Sequence, residues 1–146
     1  MEKYIGVNLI KAEPCTVDEF NAIRPLYYSG ECQDGYKVEY EEGYISWSPK
    51  DVFEEVYRLT TGMTFGLAIE AMKKGFKVSR KGWNGKNQYI ELASNISYIS
   101  SAEKVVNCEH NDIGNKAIAF VGTSGVQMGW LASQADMLAE DWQIID

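Results

Sequence analysis

The chain has 146 residues, of which 45% are hydrophobic and 24% charged, the composition of an ordinary globular protein with room for one domain or two small units. Its formal net charge of −7 leaves no broad phosphate-neutralising surface, so duplex nucleic acid is not an expected partner. No run of ~18 apolar residues is present to cross a membrane.

The opening MEKYIGVNLIKAEP lacks the long apolar core and small-residue cleavage site of a signal peptide, and none is expected. Cys15, Cys32 and Cys108 are odd in number and far apart, and none forms a CxxC pair. That spacing predicts neither a disulfide framework nor a zinc site, and a reducing cytoplasm is the expected compartment. MEKYIGVNLIKA reads as a strand. TVDEFNAIR reads as a helix, with Thr16 as N-cap and Glu19 completing a capping box. YKVEYEEGYISW predicts a hairpin reversing at Gly43. In SPKDVFEEVYRL, Ser48 is the expected cap and Pro49 the first helical residue, with Val52, Phe53, Val56 and Tyr57 forming one apolar stripe. TTGM, residues 60–63, marks the boundary between a first unit, 1–60, and a second, 62–146. Because the joint is short, the two are expected to pack together.

The second unit opens with MTFGLAIEAMKKG, a helix capped by Thr64 and ended by Gly75, with Phe65, Ile69, Met72 and Phe76 at helical spacing. FKVSR, the turn GWNGK and NQYIELA predict a hairpin. Residues 94–116 read as a long loop with one short element. AIAFV and VQMGWL flank a second reversal at Gly122–Gly125. SQADMLAEDW predicts a short helix capped by Ser133, with Asp136 at its third position, and WQIID a final strand. The fold class is therefore α+β, with antiparallel hairpins and a few short helices.

Charge is unevenly spread. Residues 1–61 hold 12 acids and 6 bases, whereas residues 62–146 hold 9 acids and 8 bases. Between Glu70 and Glu91 lie six bases and no acid, and RKGWNGK, residues 80–86, falls in that window. Trp83 on this turn admits two readings. It folds back onto its hairpin, or it offers a flat face to a base, a stacking worth ~1–3 kcal/mol. Its neighbours supply parts for a nucleotide-like anion. Asn84 donates and accepts; Gly82 and Gly85 allow close backbone approach; Arg80, Lys81 and Lys86 suit phosphate oxygens. Ser133 and Asp136 are explained as helix cap and first-turn acid; together with Gln134 they also offer groups to an anion at the helix N-terminus, with Asp136 accepting from ribose hydroxyls. Trp130 is either core or a second stacking face. His110, the single histidine, has no nearby partner for metal binding or catalysis. Ser124 fails the GxSxG pattern because position 126 is Val. No catalytic set, metal site or cofactor is predicted.

MTFGLAIEAMKKGFKVSRKGWNGK followed by WLASQADMLAEDW, spanning residues 63–142, resembles the second Thoeris anti-defence family of phage proteins. Ala132 stands where the family often has proline before SQAD. The resemblance implies a sponge that binds a cyclic ADP-ribose isomer (glyco-cyclic ADP-ribose) made by bacterial Thoeris immunity and does not cleave it. It further implies a homo-oligomer, a tetramer, with pockets between subunits, working in the cytoplasm of the infected cell. Trp83 is the best-matched position for base stacking. The alternatives are a cyclic oligonucleotide as ligand, an enzyme degrading the same class of ligand, or a protein partner held by the acidic first unit, for which GYISWSPKDVFEEVYR resembles a small phage module of unknown role.

Overall fold

The computed structural model describes residues 1–25, 31–83, 87–94, 97–107 and 116–145. The chain divides into two compact units, Met1–Arg58 and Leu59–Asp146. Among the described residues, mostly antiparallel strands and four short helices make it an α+β protein.

In the first unit, β1 (Lys11–Pro14), β2 (Gly35–Glu39) and β3 (Ile45–Pro49) form an antiparallel sheet in that order. The strand expected over the first twelve residues is confined to its end. β2 stops at Glu39, which pairs with Lys11, so nothing in the ladder remains for residues 1–10. α1 (Val17–Ile23) carries the expected capping box: Thr16 N–H donates to Glu19 at 2.8 Å and Glu19 N–H to Thr16 Oγ1 at 3.3 Å. Val17, Phe20 and Val38 are fully buried. Trp47 lies against Gly35, where a Cβ would collide with its ring and with the Ser48 carbonyl, and its Nε1 donates to the Cys15 carbonyl at 2.8 Å.

α2 (Lys50–Val56) departs from expectation in two ways. Ser48 is not its cap, because β3 runs on through Pro49, which pairs with Gly35, and the helix starts one residue later than expected, at Lys50; Pro49 takes the cap position without a side-chain bond. The apolar stripe is also split. Phe53 stacks on Tyr36 at 4.1 Å and on Tyr57 at 4.9 Å, while Val52 and Val56 face outward. A seven-residue helix seated through one aromatic column leaves its other side uncovered.

In the second unit, α3 (Phe65–Lys73) is capped by Thr64, whose hydroxyl accepts from Leu67 N–H at 3.4 Å. Gly75, at φ +94°, ends it in the left-handed region that favours glycine. The strands β4 (Lys77–Arg80), β5 (Tyr89–Ala93), β8 (Ala117–Gly122), β9 (Gly125–Met128) and β10 (Trp142–Ile145) form one antiparallel sheet, ordered β10-β4-β5-β8-β9. Both expected hairpins, β4–β5 and β8–β9, are present, and Ser124 occupies the two-residue turn of the latter. The register aligns Ile144, Val78, Ile90 and Phe120 across the sheet, and α3 packs over this row through Ala68, Ala71 and Met72. Residues 94–116, expected as a loop with one short element, instead contain two paired strands, β6 (Ser97–Ile99) and β7 (Val105–Asn107); Cys108 and His110 lie outside the described residues. α4 (Gln134–Met137) completes the unit.

Candidate functional site

The site is built where β4 ends. Trp83 N–H returns to the Arg80 carbonyl at 3.2 Å, closing a tight turn, and Lys81 N–H is tied to the Asp141 carbonyl at 3.1 Å. The turn directs the Trp83 ring into an aromatic cluster. It meets Phe120 at 5.5 Å, Trp142 at 5.4 Å and Trp130 at 6.0 Å between centroids, each edge to face. Trp142 is fully buried, whereas Trp83 and Trp130 are half-buried. Edge-to-face pairs are favourable geometries for aromatic quadrupoles, so the Trp83 ring is fixed by three neighbours and keeps part of its surface open. Trp142 Nε1 donates to the Asp136 carbonyl at 2.9 Å, fastening the cluster to α4.

Arg80 is held between two carboxylates. Its Nε donates to Asp141 Oδ1 at 2.9 Å, its Nη2 to Asp141 Oδ2 at 3.4 Å, and its Nη1 to Asp136 Oδ1 at 3.0 Å. The other oxygen of Asp136 accepts from Ser133 N–H at 3.0 Å and Ser133 Oγ at 2.7 Å. Ser133, Asp136, Arg80 and Asp141 thus form one continuous network joining α4, β4 and the approach to β10. Burial pushes the Asp136 carboxyl upward, but the hydrogen bonds from Ser133 and Arg80 outweigh it and hold the group below its ordinary range. Asp141 and then Asp136 raise the Arg80 guanidinium further above its already high value.

Of the residues singled out from sequence, Arg80, Trp83, Trp130, Ser133 and Asp136 come together. Gln134 lies exposed in the first turn of α4. Gly82 has open space, with the nearest atom to a built Cβ being Asp141 Oδ2 at 3.9 Å. Asn84, Gly85 and Lys86 lie outside the described residues. A concavity of about 370 Å³ adjoins the turn, lined in part by Lys77, Lys81, Trp83, Gln88, Tyr89 and Gln143. Lys77 Nζ stands 4.9 Å from the centre of the Tyr89 ring, and Gln143 Nε2 donates to Ser79 Oγ at 3.4 Å. Trp83, Arg80 and Lys81 of this lining were singled out from sequence, whereas Gln88, Tyr89 and Gln143, and Asp141 beside them, were passed over. Lys77 and Ser79 alternate with buried Val78, and Gln143 with buried Trp142, so strand alternation was a usable signal for the polar face. The pairing of Arg80 with Asp141, 61 positions apart, had no local signal.

Residues 63–145 match the family described as the Thoeris anti-defense 2-like domain. The chain is also similar to a protein named Thoeris anti-defense 2 from Bacillus phage SP01, with 38% identity over 88 residues, which make up 60% of this chain and 99% of the relative.

Proposed function

The chain belongs to the Thoeris anti-defense 2-like family, and from that premise we propose that it is a phage anti-defence protein acting as a sponge. It binds a cyclic ADP-ribose isomer produced by Thoeris immunity and withholds it from its effector, without cleaving it. The observation that carries this reading is Trp83: a half-buried ring, braced by three aromatic neighbours, at the rim of a concavity that also exposes Lys77 and Lys81. A rigid ring loses little freedom when a base stacks on it. The lysines suit a diphosphate, and Gln88 and Gln143 suit sugar and base edges.

The charged groups beside Trp83 favour binding over hydrolysis. Asp136 is held below the usual carboxylate range, which makes it a weak general base near neutral pH. Arg80 is committed to two carboxylates, which gives it a bracing role and leaves phosphate contacts to the lysines. Sequestration requires only tight binding; a signal near ~100 nM calls for about −9.5 kcal/mol. The resemblance that suggests this ligand also suggests a tetramer with pockets between subunits, in the cytoplasm of the infected bacterium.

Titration calorimetry of the full chain with the Thoeris cyclic ADP-ribose isomer, followed by heat release and chromatography, tests the reading. Tight binding with intact nucleotide recovered is the expected result. Recovery of altered nucleotide would make the protein an enzyme, and no heat of binding would remove the nucleotide altogether.

A further inference from the structure

Asp141 grips the turn that carries Trp83. Its carboxylate accepts from Arg80 Nε at 2.9 Å and from Arg80 Nη2 at 3.4 Å. Its backbone carbonyl accepts from Lys81 N–H at 3.1 Å. Its Oδ2 lies over Gly82, 3.9 Å from where a Cβ would stand. One residue thus holds or overlies Arg80, Lys81 and Gly82 in succession, and Trp83 follows. Trp83 N–H closes onto the Arg80 carbonyl at 3.2 Å, so the backbone under the ring is set through Arg80.

Asp141 is itself anchored. The next residue, Trp142, is fully buried and exchanges both backbone bonds with Met63, at 2.8 and 3.1 Å. Its ring meets the Trp83 ring edge to face at 5.4 Å. The pair Asp141–Trp142 therefore supports the turn twice, by its backbone and by its ring. Charge makes the first support unexpected. One guanidinium between two carboxylates leaves the cluster negative, beside a concavity that also exposes lysines. Asp136 has its own reason to be there, as part of the α4 capping box. Asp141 lies in no helix or strand, and a carboxylate at that place opposes an anionic ligand unless it does something else for binding.

We propose that Asp141 is a positioning residue: through Arg80 and the Lys81 backbone it holds the Trp83 ring in the orientation on which a base stacks. The inference rests on the nucleotide reading for its ligand and on the turn geometry for its mechanism. A face fixed before the ligand arrives loses little freedom on binding. Removing the Asp141 charge has two opposed effects. Coulomb attraction alone would draw an anion in and tighten binding. Release of the turn loosens the stacking face and weakens binding, and the proposal requires this second effect to win.

Two variants of the full chain test it. Asp141→Asn keeps the carbonyl that holds Lys81 but turns an amide donor toward an Arg80 donor. Arg80→Lys keeps the positive charge, but a single ammonium lacks the fork that spans Asp141 and Asp136. Each is expected to weaken calorimetric binding of the cyclic ADP-ribose isomer at least ~10-fold, Asp141→Asn in spite of the negative charge it removes. Near-ultraviolet circular dichroism and iodide quenching, without nucleotide, follow the ring itself; subtracting the same protein carrying Trp83→Phe isolates the Trp83 signal. That signal is expected to change in both variants while the far-ultraviolet spectrum stays that of the wild type. Binding as tight as the wild type or tighter would overturn the proposal. So would an unchanged Trp83 signal with lower stability in urea, which would leave the bridge a purely structural one. If the wild type binds no nucleotide, the ligand reading falls on its own, and the proposed role of Asp141 in binding falls with it; the Trp83 signal then still shows whether Asp141 holds the ring.

Discussion

Replacing Trp83 tests packing and binding at once, because one ring abuts Phe120, Trp130 and Trp142 and also lies at the rim of the concavity. Burying a large aromatic and then truncating it costs ~3–5 kcal/mol in a full core, and a half-buried ring is expected to cost about half of that. Trp83→Ala is therefore expected to lose about 1–3 kcal/mol in urea unfolding and, where it still folds, ~10–100-fold in nucleotide affinity by calorimetry. Trp83→Phe keeps more of the packing than of the stacking face, so its affinity loss is expected to exceed its stability loss; the reverse order would assign the residue to packing alone. Asp136 governs a pH response. Its carboxyl is held below the ordinary value by Ser133 and Arg80 against the push of burial, so its stabilisation is fully present above ~3.9, the unfolded value, and is lost as pH falls through the folded one. Melting measured from neutral pH downward is expected to show a shallower acid limb for Asp136→Asn than for the wild type, with parallel curves above pH ~5.

At the scale of elements, α4 is a single turn of four residues, too short to persist by propensity. It stands on the Ser133–Asp136 capping box, the Arg80 bridge and the Trp142 Nε1 bond to its backbone. Ser133→Ala is expected to cost about 1 kcal/mol, a fall of ~4–8 °C in melting temperature for a unit of this size. Thr16→Ala, at the equivalent position of the longer α1, is expected to cost a similar amount without touching the candidate site. Such caps were legible because they are local: a hydroxyl, and a carboxylate three residues on. Hairpins were legible for the same reason, through Gly43 and the Gly122–Gly125 reversal. What escaped is non-local. No pattern in WQIID tells that β10 inserts beside β4, or that Asp141 thereby reaches Arg80. The β6–β7 pair escaped because its strands are three residues each and sit among serines and asparagines, too short for alternation to declare itself. The first ten residues misled because Ile5 and Val7 suggest a strand where the sheet supplies no partner.

At the scale of the molecule, the two units differ in charge and in what the family match covers. Met1–Arg58 holds 12 acidic and 6 basic residues, and the family match lies entirely beyond it, in residues 63–145. The phage SP01 relative is covered over 99% of its length by the 88-residue alignment, so a protein of this kind exists with almost nothing else attached. On that ground, residues 59–146 produced alone are expected to bind the nucleotide with a dissociation constant within about threefold of the full chain. Their kinetics are expected to differ. An acidic unit repels an anionic ligand at long range, and that repulsion is screened over ~10 Å at 0.1 M salt. Stopped-flow association at low ionic strength is therefore expected to be faster for the fragment than for the full chain, with the two rates converging as salt is raised. A fragment that folds yet fails to bind would place part of the binding surface in the first unit and give that acidity a direct role. Equal rates at all salt concentrations would mean that the acidic unit contributes no field at the site, and would leave partner recognition as the role to pursue for it.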